Sequence, residues 1–526
     1  MLTKRLLKSV LFTVLLLLLY GSLSAQAPSL QYGELYKNTP TIAKIIKKTD
    51  EHLISVSFKE TRFLNPRLFL DTHDAKNLNF ITSKEVVLPK ITDSQARLNY
   101  VHYFPATDKI ILFMEFVQKD KISLFAYEID EEGNTGKGKL VFDKENRIHN
   151  YYYLYDIIPT PEDPDLLVIS RFRYVRKNSE MQALIHVINS KFETIQQVED
   201  VFPLKKSGDK IKIKEIIYNK AGFIHLIVYY GELIYSSDTY LLRSYSNSNV
   251  TEQRLNLDGI PFIENPSFTL TPNNELAMVG YYSDYKGGKR VLKGVYVNYY
   301  NPITKELTQN ITPFTSTHYD NLYGSKSKKY YKGIPYNWTP KSDVVLRKDG
   351  GFYNITESYT PYVTSYNATY KRRDIIITAL DATGKLEWVN RIAKFQHEPM
   401  VSIQTGNNLR FLTLVHHHYR YASQPFAPFG SYGYALKNDK LYLFYNDLYD
   451  NLTLAIDKKP TVVTKFAYTH PIIVSFDNSG IMTRTALPQN NSNGIMRPNS
   501  ASLFEGELYI PALITHKEKI GRLMLP

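Results

Sequence analysis

The stretch Leu98–Asp143, LNYVHYFPATDKIILFMEFVQKDKISLFAYEIDEEGNTGKGKLVFD, determines how the rest of the chain is interpreted. It contains four β-type runs joined by three polar turns: Leu98–Phe104, Ile110–Val117, Ile122–Ile129 and Lys139–Phe142. The second run is almost continuously apolar, as expected for a strand that is buried on both faces. The last run is shorter and more polar. Four sequential strands, of which the second is the most apolar and the last is more polar, predict one blade of a β-propeller, whose last strand faces water.

Two turn types repeat along the chain. The first, Thr107-Asp108 here, has counterparts that bring the total to eight, at Lys48–Asp50, Pro161–Asp163, Asn219–Gly222, Pro272–Asn274, Lys348–Gly350, Lys437–Asp439 and Glu505–Gly506. The second has the pattern D-x-x-G after an apolar strand and occurs at Asp130–Gly133, Asp381–Gly384 and Asp477–Gly480. Its glycine supplies the positive φ that such hairpin turns require. Two turn types in a fixed order favour a propeller over the alternative of two β-sandwiches.

The repeats divide the chain into eight units, 42–87, 98–142, 151–198, 211–257, 267–311, 343–392, 431–487 and 502–525. The eighth unit lacks its last strand. We therefore predict an all-β propeller of seven to eight four-stranded antiparallel blades, closed by one blade that both chain ends share. In it, Leu30–Tyr36 or a strand nearby completes the sheet of Ile520–Leu525, which removes two exposed sheet edges. Seven blades would result if one hairpin were an insertion.

The N-terminus has the pattern of a secretory signal peptide over residues 1–25. Lys4, Arg5 and Lys8 precede the apolar run Val10–Tyr20, and Leu23-Ser24-Ala25 fits a cleavage site. An uncleaved anchor is the alternative. We expect residues 26–526 to form a single propeller domain that is exported to the periplasm, the exterior or the cell surface, with no later membrane span. The chain has no cysteine, so its stability must come from packing and ring closure.

The composition suggests a partner but no reaction. The formal net charge is +13, and 42 residues are tyrosine. A basic, tyrosine-rich surface favours anionic or sugar-containing partners, because a tyrosine ring offers a flat apolar face beside a hydroxyl. We expect a glycan or an envelope protein as the partner and no nucleic acid, since the chain is predicted to be exported. No cofactor is expected.

Three long connections interrupt the repeats, at 313–340, 358–373 and 394–430, and long loops on a rigid scaffold often carry binding sites. The basic and aromatic residues in the first two are the candidate ligand-binding residues: Lys328, Lys329, Tyr330, Tyr331, Tyr336, Trp338, Tyr359, Tyr362 and Tyr366. The alternative is that these aromatic residues pack between strands and that the lysines are only solvated.

Signals for metal binding and catalysis are weak. His416 and His418 would share one face of a strand, but no carboxylate lies nearby in sequence to complete a metal site, so we expect no metal. The chain has no G-x-S-x-G motif. A binding propeller is therefore the leading interpretation. A polysaccharide hydrolase or lyase with carboxylates in the central funnel, and a structural component of an envelope assembly, are the alternatives.

Further features of the chain indicate a group of proteins. They are the Ala25/Gln26 cleavage site, the D-x-x-G hairpins, Asp381–Trp388 followed by Lys394-Phe395-Gln396, and Lys440–Asn451 (KLYLFYNDLYDN). With them, the chain resembles the secreted β-propeller proteins of Bacteroidota-type bacteria. That group has no common assigned activity. The resemblance therefore implies the fold and export, and implies no substrate.

Overall fold

The structure is a computed structural model of the whole chain. It describes residues 27–35, 41–59, 67–90, 95–118, 121–145, 155–160, 162–175, 180–203, 210–231, 239–246, 249–256, 259–260, 262–286, 289–335, 341–363, 368–399, 429–488, 494–514 and 517–526. The predicted signal peptide, residues 1–25, lies outside these ranges.

The first four blades are antiparallel sheets whose four strands follow one another in sequence. Blade 1 contains β2 (Thr41–Lys48), β3 (His52–Lys59), β4 (Arg67–Asp74) and β5 (Phe80–Glu85). Blade 2 contains β6 (Gln95–Phe104), β7 (Lys109–Val117), β8 (Lys121–Ile129) and β9 (Lys139–Glu145). Blade 3 contains β10 (Asp156–Pro159), β11 (Leu166–Val175), β12 (Glu180–Asn189) and β13 (Thr194–Pro203). Blade 4 contains β14 (Lys210–Tyr218), β15 (Ile224–Gly231), β16 (Thr239–Ser246) and β17 (Asn249–Arg254).

The other four blades are built in the same way, but three of them carry a short extra strand, and the last strand of blade 8 comes from the N-terminal part of the chain. Blade 5 contains β18 (Phe262–Leu270), β19 (Leu276–Lys286), β20 (Lys289–Tyr300), β21 (Leu307–Pro313) and the extra β22 (Ile334–Pro335). Blade 6 contains β23 (Lys341–Leu346), β24 (Phe352–Val363), β25 (Ala368–Leu380), β26 (Leu386–Ile392) and the extra β27 (Gln396–Pro399). Blade 7 contains β28 (Gly433–Lys437), β29 (Lys440–Asp447), β30 (His470–Phe476) and β31 (Met482–Ala486). Blade 8 contains β32 (Ile495–Met496), β33 (Ser502–Phe504), β34 (Glu507–Ile514), β35 (Lys517–Met524) and β1 (Ser29–Tyr32).

The predicted closure is confirmed, and the number of blades is eight. Strand β1 pairs antiparallel with β35, in a register that places Ser29 opposite Met524 and Tyr32 opposite Gly521. The first described strand therefore completes the last sheet. A buried side chain also joins the last blade to the first, because Arg497 donates to the carbonyl of Ile42 at 2.7 Å.

The hydrophobic core is divided among the contacts between blades. The described residues contain eight buried apolar clusters, and each lies between two consecutive blades of the ring. The second strand of a blade is buried most completely, as β7 and β29 illustrate. Both faces of such a strand pack against a neighbouring sheet. This explains why its sequence is continuously apolar and does not alternate.

The D-x-x-G turns serve a second purpose, which is to contact the preceding blade. In blade 7, Asp477 accepts hydrogen bonds from the backbone N–H groups of Ser479 and Ile481, and Gly480 has φ +82°. Trp388 of blade 6 donates from its indole to the carbonyl of Asn478 at 3.1 Å. The turn is therefore both a local hairpin and part of the contact between two blades.

The structure differs from the sequence prediction in two of the long connections. The segment 313–340 contains a helix, α1 (Ser316–Tyr323), followed by a 3₁₀ helix at Gly324–Tyr330. Thr315 and His318 form a capping box at the start of α1. The segment 358–373 is largely an extension of strands β24 and β25 beyond their neighbours. In the described part of the chain, no helix is long and apolar enough to cross a membrane.

Replacing Gly480 with alanine should lower the midpoint of thermal unfolding more than replacing Gly222. Both glycines have positive φ, +82° and +83°, so each alanine costs about 1–2 kcal/mol for its left-handed conformation. A Cβ at Gly480 would also lie 2.7 Å from the ring of Trp388, whereas a Cβ at Gly222 meets nothing within 4 Å. Overpacking of that kind adds about 1–3 kcal/mol. Equal shifts of the two circular dichroism melting curves would contradict a stabilising contact between this turn and blade 6.

Candidate functional site

The long connections all lie on one face of the propeller. Adjacent strands of a blade run antiparallel, so the connections from strand 2 to strand 3 and from strand 4 to the next blade lie on the same face, here called the loop face. The connections 314–335 and 448–469, and the described ends of 393–432, are of these two kinds. They belong to blades 5, 6 and 7, so they share one sector of that face.

Two of these connections contact each other and form a surface that we call the loop platform, residues 314–335 and 448–469. Arg391 of β26 donates to the carbonyls of Leu322 at 3.3 Å and Ile456 at 3.0 Å, one in each segment. Its guanidinium also pairs with Asp374 at 2.9 Å and lies 4.8 Å from the ring of Tyr323. One side chain of blade 6 therefore fixes both halves of the platform.

The predicted residues in the first connection have different environments. Lys328 and Lys329 are exposed. Tyr330 is half-buried, with its ring 3.9 Å from that of Tyr323 and 4.8 Å from the ammonium of Lys329. Tyr331 is 40% exposed, and its hydroxyl donates to Asp320 at 2.9 Å. Tyr331 therefore offers a ring face to solvent, while Tyr330 packs against the helix and supports Lys329.

Tyr359 lies outside the platform, in the long hairpin of blade 6. Tyr359 of β24 is half-buried and stacks on Tyr370, with 5.9 Å between ring centroids and 10° between ring planes. The guanidinium of Arg372 lies 4.9 Å from its ring. Tyr362 belongs to β24. Five predicted residues lie outside the described residues: Tyr336, Trp338, Tyr366, His416 and His418. Within the described ranges, no group of three or more potential metal ligands is present.

Three exposed tyrosines were missed by the sequence analysis. They are Tyr434, Tyr449 and Tyr468, which are 39%, 58% and 66% exposed. Together with Tyr331, they are the exposed ones among the Phe, Trp and Tyr side chains whose burial the structure describes. Tyr331, Tyr449 and Tyr468 belong to the platform, and Tyr434 lies where β28 begins on the same face. Of these three, only Tyr449 had a signal in the sequence, because it lies near the end of the aromatic stretch Lys440–Asn451.

The platform is also basic. Its two segments contain seven lysines, no arginine and three aspartates; the lysines are 326, 328, 329, 332, 458, 459 and 465. Two of the aspartates are already engaged, Asp320 by Tyr331 and Asp457 by the hydroxyl of Ser325 at 2.6 Å. None of the seven lysines forms an ion pair with another described residue. The platform therefore keeps an excess of four positive charges, seven lysines against three aspartates.

A buried ionic cluster lies at the loop-face end of blade 6. Glu357 of β24 pairs with Lys394 at 2.5 Å and with Arg372 at 2.9 Å, and it accepts from the hydroxyl of Ser431 at 2.7 Å. Burial alone would raise the pKa of Glu357, but the two cations outweigh that effect and lower the pKa to about 2. All four side chains are almost completely buried. Both carboxylate oxygens are occupied, so this cluster holds the chain in position and offers no open group to a substrate.

Two other buried carboxyl groups hold the connection that precedes blade 7 and the connection between its second and third strands. Glu398 accepts from the backbone N–H groups of Phe429 and Gly430 at 3.3 and 3.0 Å, and burial raises its pKa to about 7. Asp447 accepts from the side-chain amide of Asn451 at 2.7 Å, and burial raises its pKa to about 6. Asn451 in turn bonds the backbone of Thr461. Through Asn451, Asp447 therefore fixes the blade 7 half of the platform.

Comparisons with known proteins assign no family. No protein-family model matches the chain, and no curated protein sequence matches it. Solved structures that resemble it include an α-L-arabinanase of Penicillium chrysogenum complexed with arabinobiose, at 10% identity, a TM-score of 0.29 and coverage of 58% of this chain and 94% of that chain. Polysaccharide lyase Uly1 is 10% identical, with a TM-score of 0.35 and coverage of 79% and 88%. The β-propeller domain of the Trilobed protease of Pyrococcus furiosus is 11% identical, with a TM-score of 0.33 and coverage of 87% and 99%. Likenesses this low assign neither an activity nor a ligand.

The carboxyl group of Glu398 should make a contribution to stability that is lost as the pH rises from about 5 to about 8. Its pKa is about 7 in the folded chain against an ordinary 4.5, so the folded state binds more protons between these values. The stabilisation is complete below about pH 4.5 and disappears as the pH rises through about 7. It amounts to at most about 3 kcal/mol.

Urea unfolding at several pH values checks this prediction with the variant Glu398→Gln. Glutamine cannot ionise, so the decrease in unfolding free energy with pH should be smaller in the variant, whatever its stability at low pH. Glu132→Gln, at an exposed position, is the control and should keep the slope of the original protein. A slope that is unchanged in Glu398→Gln would rule out this carboxyl group as the source.

Proposed function

We propose that this chain is an exported β-propeller that binds a glycan on its loop platform. The observation that carries the proposal is the distribution of exposed aromatic residues. Among the tyrosines whose burial the structure describes, the exposed ones all lie on the loop face, and three of the four lie on the platform. A random scatter of surface tyrosines over eight blades would not give this arrangement.

Exposed tyrosines suit the recognition of sugars. A pyranose has an apolar face of C–H groups, and an aromatic ring can stack on it while hydroxyl groups bond at its edge. Tyr449 and Tyr468 are more than half exposed, so their rings are available for such contacts. Tyr331 has a fixed orientation, because its hydroxyl is bonded to Asp320. Preorganised rings reduce the entropy that is lost on binding.

The scaffold supports binding in a defined geometry. The platform segments are held by Arg391 from below and by a direct hydrogen bond between Ser325 and Asp457. Both segments are anchored to rigid sheets. Binding residues on loops that a rigid scaffold positions are the usual arrangement in proteins. Export is supported by the signal-peptide pattern of residues 1–25.

Removing two of the ring faces should weaken glycan binding. In the double variant Tyr449→Ala/Tyr468→Ala, we expect the affinity for the glycans that the original protein retains on an array to fall by about tenfold or more, since each aromatic stacking contact contributes about 1 kcal/mol. Isothermal titration calorimetry with the best array ligand gives the magnitude.

The matched control removes exposed apolar side chains away from the platform. Val250 on β17 and Ile303 in the turn before β21 are 60% and 74% exposed, and Val250→Ala/Ile303→Ala should bind like the original protein. Absence of glycan binding by the original protein would overturn the proposal. Capture of an envelope protein without any glycan would also overturn it, in favour of a protein partner.

A further inference from the structure

We infer that the ligand of the loop platform is a polyanionic glycan, one that carries carboxylate or sulfate groups along its length. This inference rests on the proposed function and names the class of glycan. It follows from the excess of lysines on the platform together with their position beside its tyrosine rings.

The lysines of the platform differ from several others on the protein. Lys109 pairs with Glu128 at 2.6 Å, for example, and Lys47 pairs with Asp108 at 2.6 Å. On the platform, seven lysines face three aspartates, and no ion pair forms within the described residues. Like charges close together repel one another, so this arrangement lowers stability slightly unless an external anion offsets it. An extended polyanion would offset several charges at once.

The fold brings two groups of lysines together from distant parts of the sequence. Lys326, Lys328 and Lys329 follow helix α1, and Lys458 and Lys459 lie in the connection of blade 7. The hydrogen bond from Ser325 to Asp457 connects the residues that immediately precede the two groups. Lysines from both segments therefore flank this junction, around the carboxylate of Asp457. Lysines spread over two segments fit a linear ligand better than a single small anion.

Ammonium groups also lie next to aromatic rings. Lys465 is 6.0 Å from the ring centre of Tyr468, and Lys329 is 4.8 Å from that of Tyr330. An acidic sugar has both features that such a pair can recognise, a face of C–H groups and a charged substituent. A neutral sugar would use only the rings and would leave the ammonium groups unpaired.

Other polyanions fit the platform less well. Nucleic acid is usually recognised by arginine, whose planar guanidinium bonds phosphate and base edges in a bidentate manner, and the platform has no arginine. Binding to an anionic membrane normally adds exposed leucine, phenylalanine or tryptophan that enter the lipid. The exposed large hydrophobic side chains of the platform's described residues are tyrosines 331, 449 and 468.

The test compares polygalacturonate, dextran sulfate and neutral dextran as probes of the full mature chain, at about 50 and about 300 mM salt. Binding to at least one charged polymer should exceed binding to neutral dextran by tenfold or more at the lower salt concentration and should weaken at the higher one. Preference for polygalacturonate or for dextran sulfate identifies carboxylate or sulfate as the anionic group.

The triple variant Lys326→Ala/Lys328→Ala/Lys329→Ala should lose most of this binding, by about tenfold or more. The control Lys137→Ala/Lys191→Ala/Lys220→Ala removes the same charge from exposed turns on the opposite face and should bind like the original protein. Equal losses in both variants would overturn the inference, because net charge alone would then explain the binding.

Three further outcomes separate this inference from the proposed function. Binding to neutral glycans that is as strong as to charged ones and is insensitive to salt would overturn the inference and keep the proposed function. Binding to duplex DNA or to phosphatidylglycerol vesicles as strong as to the acidic polymers would also overturn the inference. Failure of the original protein to bind any polymer or array glycan would overturn both.

Discussion

The backbone pairing of β1 with β35 is the contact on which the rest of the structure depends. Every blade is apolar on both faces, so each needs a neighbour on either side. In an open row of sheets, the outer faces of the first and last blades would be exposed to water. The pairing brings these two blades together, and Ile42, Leu53 and Ile520 are then buried between them. Closure is therefore a condition for the whole core, which no disulfide supports.

The regular features of the fold could be predicted from the sequence, because they repeat. An apolar second strand, a polar last strand and two turn types recur in order, and the last strand missing from the eighth unit indicated where the ring closes. Helix α1 was not predicted. It is only eight residues long, which is too short for a sustained apolar stripe. Its start is marked only by the capping box of Thr315 and His318. A single short helix has little effect on the periodicity of a β-rich chain.

The candidate site could be predicted only as a region. Basic and aromatic residues in long loops indicated the loop face, because the connections from strand 2 to strand 3 and from strand 4 to the next blade emerge there. Sequence could not show which tyrosines remain exposed. Tyr330 and Tyr331 are adjacent, yet one packs against Tyr323 and the other faces solvent. Tyr468 is exposed through the path of a connection that depends on contacts far away in sequence, including Arg391.

The buried ionic cluster shows how these contacts fix the loop face. Replacing a buried ion pair by apolar residues is often neutral or favourable, so stability alone gives a weak reason for Glu357, Lys394 and Arg372 to be there. Its members come from the long hairpin of blade 6, the connection that follows it and, through Ser431, the start of blade 7. Ser431 has φ +72°, an unfavourable value for serine that its bonds to Glu357 and Gln396 maintain. A displaced segment would leave a buried charge unpaired, which costs several kcal/mol, about 3–5 in measured cases. The cluster therefore permits one arrangement of these segments, and the platform is built on that arrangement.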